Sequence, residues 1–294
     1  MHRTEIGDIS LETLTAGDGR PLLFLHGGDY FAQHRDFFES LARRWRVMAP
    51  RHPGFGGSER PDGFRTVHDL AYLYLDLLDR RDLRDVVLVG SSFGGWIALE
   101  MCVRCLQRIG RLVLIDSVGV KFGGREERDI ADIYALPSGE HLRRTFFNPA
   151  RIAPDYSAFS DEEAASIARD RAATALYGWR PYMHNPGLLQ WLHRVRVPTL
   201  VVWGEKDGIV GPGYGEKLCL SLPDARFELI RHQRSHQVAC GEAAYPFRAR
   251  QVAAREARPV HIRALIASPP LRSDGECPHG RHSHAGELAD AQGV

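Results

Sequence analysis

The part of this chain best equipped for chemistry is a serine set among glycines where an apolar run gives way to helical spacing. Val86-Val87-Leu88-Val89 runs directly into Gly90-Ser91-Ser92-Phe93-Gly94-Gly95-Trp96, and a helix is expected from Gly94 to Gln107. A serine at the apex of such a strand-to-helix turn is presented at the end of the strand. Its neighbours two positions away must be small so that strand and helix can approach. Gly90 and Gly94 meet that need, Gly95 adds clearance, and the helix N-terminus directs its dipole at the serine. Ser91 lies off the apex. The chemistry would be nucleophilic attack by Ser92 on a carbonyl carbon. A Gly/Ser turn with no catalytic duty is the plain alternative, and the flanking strand and helix weigh against it.

Attack on a carbonyl creates an oxyanion, which two preorganised backbone N–H groups can stabilise. One would be that of Phe93, the residue after the serine. The other would come from the loop His26-Gly27-Gly28-Asp29, which ends the apolar run Leu22 to Leu25, with Gly28 as the donor. His26 is a candidate base or pocket residue. A strand-end histidine before two glycines more often orders the loop.

These residues need elements to hold them. Short apolar runs alternate with longer amphipathic stretches, the pattern of a parallel sheet with crossover helices. Strands are expected at Ile9 to Leu14, Leu22 to Leu25, Arg46 to Ala49, Val86 to Val89, Leu112 to Ile115, Thr199 to Trp203 and Phe227 to Ile230. Helices are expected near Phe37 to Arg44, over Val67 to Arg81, and near Gly215 to Leu222. From about Lys121 to His193 no strand-like run occurs. A helix is expected over Asp161 to Ala175, with Ser160 and Glu163 forming a capping box. A helical stretch between strands of one sheet reads as a cap over a site. The organisation is therefore a core of residues 1–120 and 194–250, a cap of 121–193, and a tail of 251–294. The tail's Arg, Pro, His and Gly composition reads as disordered or atypical, and Cys277 with His279, His282 and His284 as part of it rather than a metal site.

Composition narrows the classes. The 294 residues are 44% hydrophobic and 26% charged, ordinary for a globular protein, and the net charge of +1 gives no case for nucleic acid or an acidic membrane. No apolar run approaches the roughly 18 residues a membrane span needs. The polar start, Met1 to Glu5, lacks a signal-peptide core, so the expected compartment is the cytoplasm. Five cysteines without framework spacing suggest neither disulfides nor a metal, Cys102 and Cys105 included.

His26-Gly27-Gly28, then Arg51-His52-Pro53-Gly54-Phe55-Gly56-Gly57-Ser58, then Gly90 to Gly95 together resemble the α/β-hydrolase superfamily over about residues 10 to 230. Within it the chain is similar to hydrolases that cleave a carbon–carbon bond of ring-opened aromatic products, and to related carboxylesterases. The resemblance implies a mostly parallel central sheet with flanking helices and a helical cap inserted after the sixth strand. It also implies a nucleophile elbow at Ser92 and a triad in the order serine, acid, histidine. Asp207, in Gly204-Glu205-Lys206-Asp207-Gly208, matches the acid, with Asp116 the runner-up. The histidine would be His236, with His232 second. Here the chain departs from the family, whose pattern is Gly-x-Gly-His. Were Arg231 to His236 encoded CGG-CAC-CAG-CGG-TCA-CAC, reading one base later would give Gly-Thr-Ser-Gly-His, and the Arg-rich tail would be an out-of-frame reading.

The expected function is hydrolysis of a small carboxylic ester, or of a C–C bond in a ring-fission dienoate, by Ser92, Asp207 and His236, with Gly28 and Phe93 at the oxyanion. His26, Trp179 and Tyr182 are candidate pocket residues. Phe146, Tyr177 and Trp191 are further aromatics of the cap, each more simply read as helix packing. No metal or organic cofactor is implied, and the partner is a small-molecule substrate. The rivals are a catalytically impaired ligand-binding protein, a cofactor-free perhydrolase or haloperoxidase-like enzyme, and an aminopeptidase relative using Asp161, Glu162 and Glu163. Those acids read more simply as a solvated helix start.

Overall fold

A strand that is apolar at every position needs cover on both faces, and that requirement organises this chain. The computed structural model describes residues 1–28, 31–146 and 155–231. In order come β1 (His2–Ile6), β2 (Ile9–Ala16), β3 (Arg20–Leu25), α1 (Arg35–Leu41), β4 (Trp45–Pro50) and α2 (Val67–Arg80). Next are β5 (Val86–Ser91), α3 (Phe93–Arg104), β6 (Ile109–Ile115), β7 (Gly119–Val120), α4 (Ser138–Thr145) and α5 (Asp161–Gly178). The remainder is β8 (His184–Asn185), β9 (Thr199–Gly204), α6 (Pro212–Leu220) and β10 (Ala225–Ile230).

Eight strands form one sheet in the order β1-β2-β4-β3-β5-β6-β9-β10. β1 with β2 and β2 with β4 are antiparallel, and every other pair is parallel. Alternate side chains of the central strands feed two separate cores. Leu23, Leu25, Leu88, Leu112 and Leu114 pack under α2 and α3, while Leu22, Phe24, Val87, Val89, Val113 and Ile115 pack with Phe37, Phe38 and Leu41 of α1. This two-sided burial is why those strands read as unbroken apolar runs. β1 was not anticipated because it is an edge strand whose His2, Arg3 and Glu5 are exposed, leaving only Thr4 and Ile6 buried. α6 begins earlier than expected because Pro212, with its fixed φ, occupies the first helical position.

Between β6 and β9 the chain forms α4, α5, a 3₁₀ turn (Leu189–Arg194) and a two-residue parallel ladder of β7 with β8. The ladder is too short to leave a periodic signature, so no strand was expected there. Ser160 caps α5 with both bonds of the capping box to Glu163 in place. α5 is then fastened to the sheet side of the molecule by a buried ion pair. Arg51 Nη2 donates to both carboxylate oxygens of Asp170 at 2.8 and 2.7 Å, and the Gly56 amide donates to Asp170 Oδ1 at 2.7 Å. Burial pushes the Asp170 carboxyl above its ordinary value, and Arg51 and the Gly56 amide oppose that shift. Among the described residues no helix is long and apolar enough to cross a membrane, and no cluster of His, Cys, Asp or Glu could hold a metal.

Removing Asp170 takes the acceptor from the Gly56 amide and leaves the partly buried Arg51 with only Ser166 Oγ and the more distant Glu12 carboxylate. Asp170→Ala is therefore expected to lower stability by about 3 kcal/mol, against about 1 kcal/mol for Thr66→Ala, which deletes the exposed capping box of α2. Urea denaturation of the two variants beside the wild type measures both; equal losses would contradict the clasp assigned to Asp170.

Candidate active site

Ser92 sits between β5 and α3 with φ +49° and ψ −113°. A non-glycine residue held there costs about 1–3 kcal/mol unless its surroundings fix it. They do so on both sides. The Ser92 N–H donates to Ile115 O at 2.8 Å, and its carbonyl accepts from Gly95 at 3.0 Å and from Trp96 and Val118 at 3.3 Å. The turn also leaves no room for side chains. A Cβ on Gly94 would lie 2.0 Å from Leu25 O, and one on Gly90 would lie 2.6 Å from Gly95 Cα.

The facing loop follows β3. A Cβ on Gly27 would stand 3.6 Å from Ser92 Cβ, so this loop lies against the serine. Its orientation follows from His26. The His52 backbone N–H donates to His26 Nε2 at 3.0 Å, so the proton of the neutral ring is on Nδ1, which donates to Gly27 O at 2.6 Å. In a trans peptide the C=O and the following N–H point in opposite directions. The Gly28 N–H is therefore turned away from His26. Among the described residues neither Gly28 N–H nor Phe93 N–H has an acceptor. Phe93 is the first residue of α3, where the dipole's positive end adds to its N–H.

His26 itself does not reach the cavity, which corrects its reading as a pocket residue. It is fully buried, stacked on His52 at 3.8 Å and edge-on to Phe31 and Phe55. Burial, then the neighbouring His52, holds its pKa well below the ordinary value, and burial takes His52 down to about 3. Both rings stay neutral, and His26 acts as an orienting group rather than a base.

A cavity of about 130 Å³ opens over Ser92, floored by Gly27, Gly28, Ser91, Ser92 and Phe93. Val118, Ile130, Ile133, Met183 and Ile209 supply apolar wall, and His141, Arg171, Thr174 and Tyr182 supply polar wall. Tyr182 lines it with its ring while its hydroxyl donates to Ala131 O and accepts from the Ile133 N–H, and burial raises that hydroxyl to about 12. Trp179 does not line this cavity. It borders a second one of about 430 Å³ with Trp96 and Tyr177, because the turn after α5 carries its ring outward, where it remains half-exposed. His141 is kept below its ordinary pKa by burial and then by Arg171. Of these wall residues only Tyr182 was singled out in the sequence. The only available signal was the spacing of Asp170, Thr174 and Tyr177, which marks the buried stripe of α5.

Two acids sit at adjacent strand ends. Asp207, after β9, is buried, and its Oδ1 accepts from the Ile209 and Val210 amides at 2.8 and 3.1 Å, which fixes the carboxylate plane. Asp116, after β6, has φ +45°, accepts from the Gly204 N–H at 2.8 Å, and has no partner for Oδ2 among the described residues. Burial, then the charge of Asp207, pushes the Asp116 carboxyl well above its ordinary range. His232 and His236 lie outside the described residues, as does the tail of 251–294.

Comparison with known proteins identifies the family and fold. The profile of the alpha/beta hydrolase family matches residues 22–255. A 2-hydroxy-6-oxo-6-(2'-aminophenyl)hexa-2,4-dienoic acid hydrolase of Metapseudomonas resinovorans is 30% identical over 248 residues, covering 77% of this chain and 81% of that relative. A 2-hydroxy-6-oxo-2,4-heptadienoate hydrolase of Pseudomonas putida is 34% identical over 163 residues, 54% of this chain and 58% of the relative. The solved structure of a 2-hydroxy-6-oxo-6-phenylhexa-2,4-dienoate hydrolase from Rhodococcus sp. strain RHA1 superposes with a TM-score of 0.64 at 23% identity, covering 79% of this chain and 90% of that one, a likeness of fold. With its mostly parallel eight-stranded sheet and the profile matching most of its length, this chain belongs to the alpha/beta hydrolase family.

Proposed function

We propose that this chain is a serine hydrolase in which Ser92, Asp207 and His236 form the triad, and that it cleaves a C–C bond in a carboxylate-bearing dienoate or the ester bond of a small carboxylic ester. The observation that carries the reading is Ser92 itself, a serine in a strained, fully bonded turn that opens on a cavity. No structural need explains a serine at φ +49°, where glycine would cost less. His236 takes the Ser92 Oγ proton as the oxygen adds to the substrate carbonyl. The Gly28 and Phe93 N–H groups stabilise the oxyanion, each contributing about 3 kcal/mol to the transition state. Collapse expels the alcohol, or the carbon fragment, with the proton that His236 carries, and water then hydrolyses the acyl-enzyme. Asp207 accepts the imidazole N–H and stabilises the imidazolium.

Residues 121–193 act as the cap in this reading, with 1–120 and 194–250 as the core. The wall chemistry favours a dienoate. Arg171 gives a cation for a carboxylate, and Val118, Ile130, Ile133 and Met183 give apolar surface for the hydrocarbon. Relatives named for dienoate cleavage point the same way. The site needs no metal or organic cofactor, and the substrate is a dissolved small molecule met in the cytoplasm. A second reading is a binding protein that has lost turnover. It draws on one feature, the absence of the family's Gly-x-Gly-His pattern between Arg231 and Val238.

Three measurements test the proposal. A fluorophosphonate probe is expected to label the wild type and not Ser92→Ala, whose kcat falls by at least ~10⁴-fold; an unlabelled wild type would leave the binding reading standing. Asp207→Asn is expected to cost about 10⁴-fold in kcat, whereas Asp116→Asn, at the carboxyl whose charged form is disfavoured by burial and by Asp207, leaves kcat almost unchanged. The reverse order would move the acid to Asp116. A panel of p-nitrophenyl esters against a 2-hydroxy-6-oxo-dienoate, compared by kcat/KM, is expected to favour the dienoate, and loss of that preference in Arg171→Gln would tie it to the carboxylate.

A further inference from the structure

Gly28 lies between two peptide planes, and each is held by a different part of the molecule. The plane before it is set from the core, by the His26 Nδ1–H bond to Gly27 O. The plane after it is set from the cap side. Thr174 of α5 donates its hydroxyl proton to Gly28 O at 2.8 Å, sharing it with Asp170 O, also at 2.8 Å. Contact is close as well as polar. A Cβ on Gly28 would lie 2.8 Å from both Cγ2 and Oγ1 of Thr174, so no side chain fits between the helix and the loop. Thr174 is buried and faces the Ser92 cavity. One turn earlier on the same face, Asp170 carries the ion pair with Arg51 that docks α5.

Glycine is the residue least able to hold its own φ and ψ. The His26 bond holds the Gly27–Gly28 peptide, which carries the Gly28 N–H, at one atom only, and rotation about that contact still moves the N–H; the Thr174 bond to Gly28 O adds a second anchor one peptide further on. We propose that Thr174 is a positioning residue for the Gly28 oxyanion donor, so that this donor is in register only while α5 is docked. The inference builds on the reading of Ser92 as nucleophile. It assigns to the cap a part in transition-state stabilisation, beyond enclosing the substrate. The ion pair of Asp170 supplies the docking and the Thr174 hydroxyl delivers it to the loop. A ligand or surface that lifts α5 would switch off turnover while leaving Ser92 intact.

The test uses the full chain with p-nitrophenyl acetate as substrate and phenylboronic acid as a mimic of the tetrahedral adduct. Thr174→Val keeps the shape and removes the donor. It is expected to lower kcat by roughly 10- to 100-fold, part of the full loss seen when an oxyanion donor is deleted. KM should stay within about twofold, and boronate inhibition should weaken by the same factor as kcat. Thr174→Ser restores the hydroxyl and is expected to recover most of kcat. Should the valine chain not fold, Thr174→Ala carries the same readout. Wild-type kcat in the valine or alanine variant, a rise in KM alone, or a serine variant as impaired as valine would overturn the inference while leaving the hydrolase reading in place. A wild-type chain without Ser92-dependent turnover would overturn the hydrolase reading first, and this inference with it.

Discussion

The close passage of α3 over the end of β5 is the constraint on which the rest of this structure depends. Strand and helix meet with no side chain between them, since a Cβ at Gly90 would overlap the α3 backbone at Gly94 and Gly95, and a Cβ at Gly94 would overlap the end of β3 at Leu25. That contact forces Ser92 into a conformation serine would not choose. Hydrogen bonds to Ile115, Gly95, Trp96 and Val118 hold it there. The same contact determines the surroundings. It leaves α3 buried along nearly its whole length, while the bare Gly94 lets the end of β3 close in and Gly27 of the following loop lies against the serine.

Around that turn, polar groups are fixed by other polar groups rather than left to solvent. His52 sets the tautomer of His26, His26 sets the Gly27–Gly28 peptide, and Tyr74 completes the chain through a 2.6 Å contact to His52 Nδ1. Three buried aromatic side chains, none of them on the cavity wall, thereby orient one backbone N–H. Such an arrangement suits a donor that must act without reorganising. The rings pack edge-to-face with Phe31, Phe55 and Phe93, so apolar packing and hydrogen bonding restrain the same loop.

The paired carboxylates at the ends of β6 and β9 show environment dividing two chemically identical groups. Both are buried, yet Asp207 is held by two amides of its own turn while Asp116 accepts only one. Burial, then the charge of Asp207, pushes the Asp116 carboxyl well above its ordinary range.

The strands with two-sided burial, the serine turn and the capping box at Ser160 were legible in the sequence because each is a local pattern. A continuous apolar run, small residues spaced around a serine, and Ser-x-x-Glu carry their meaning within a few positions. Motif order alone also proposed Gly28, Phe93 and Asp207 as partners of Ser92. The edge strand β1 and the β7–β8 ladder were not legible, being polar in one case and two residues long in the other. Neither was the duty of His26, which depends on a backbone N–H twenty-six positions away. Which aromatic faces the cavity, Tyr182 or Trp179, depends on how the turn after α5 is directed, and no periodicity encodes that. Asp116 and Asp207 are far apart in the chain, so the proton balance between them exists only once β6 and β9 pair. The sequence by itself determined the sheet and the serine turn, since local sterics and hydrophobic burial specify both. Only the tertiary structure decided which groups face the cavity, how the two strand-end acids influence each other and what holds the Gly28 peptide, because each is a contact between residues that the chain keeps apart.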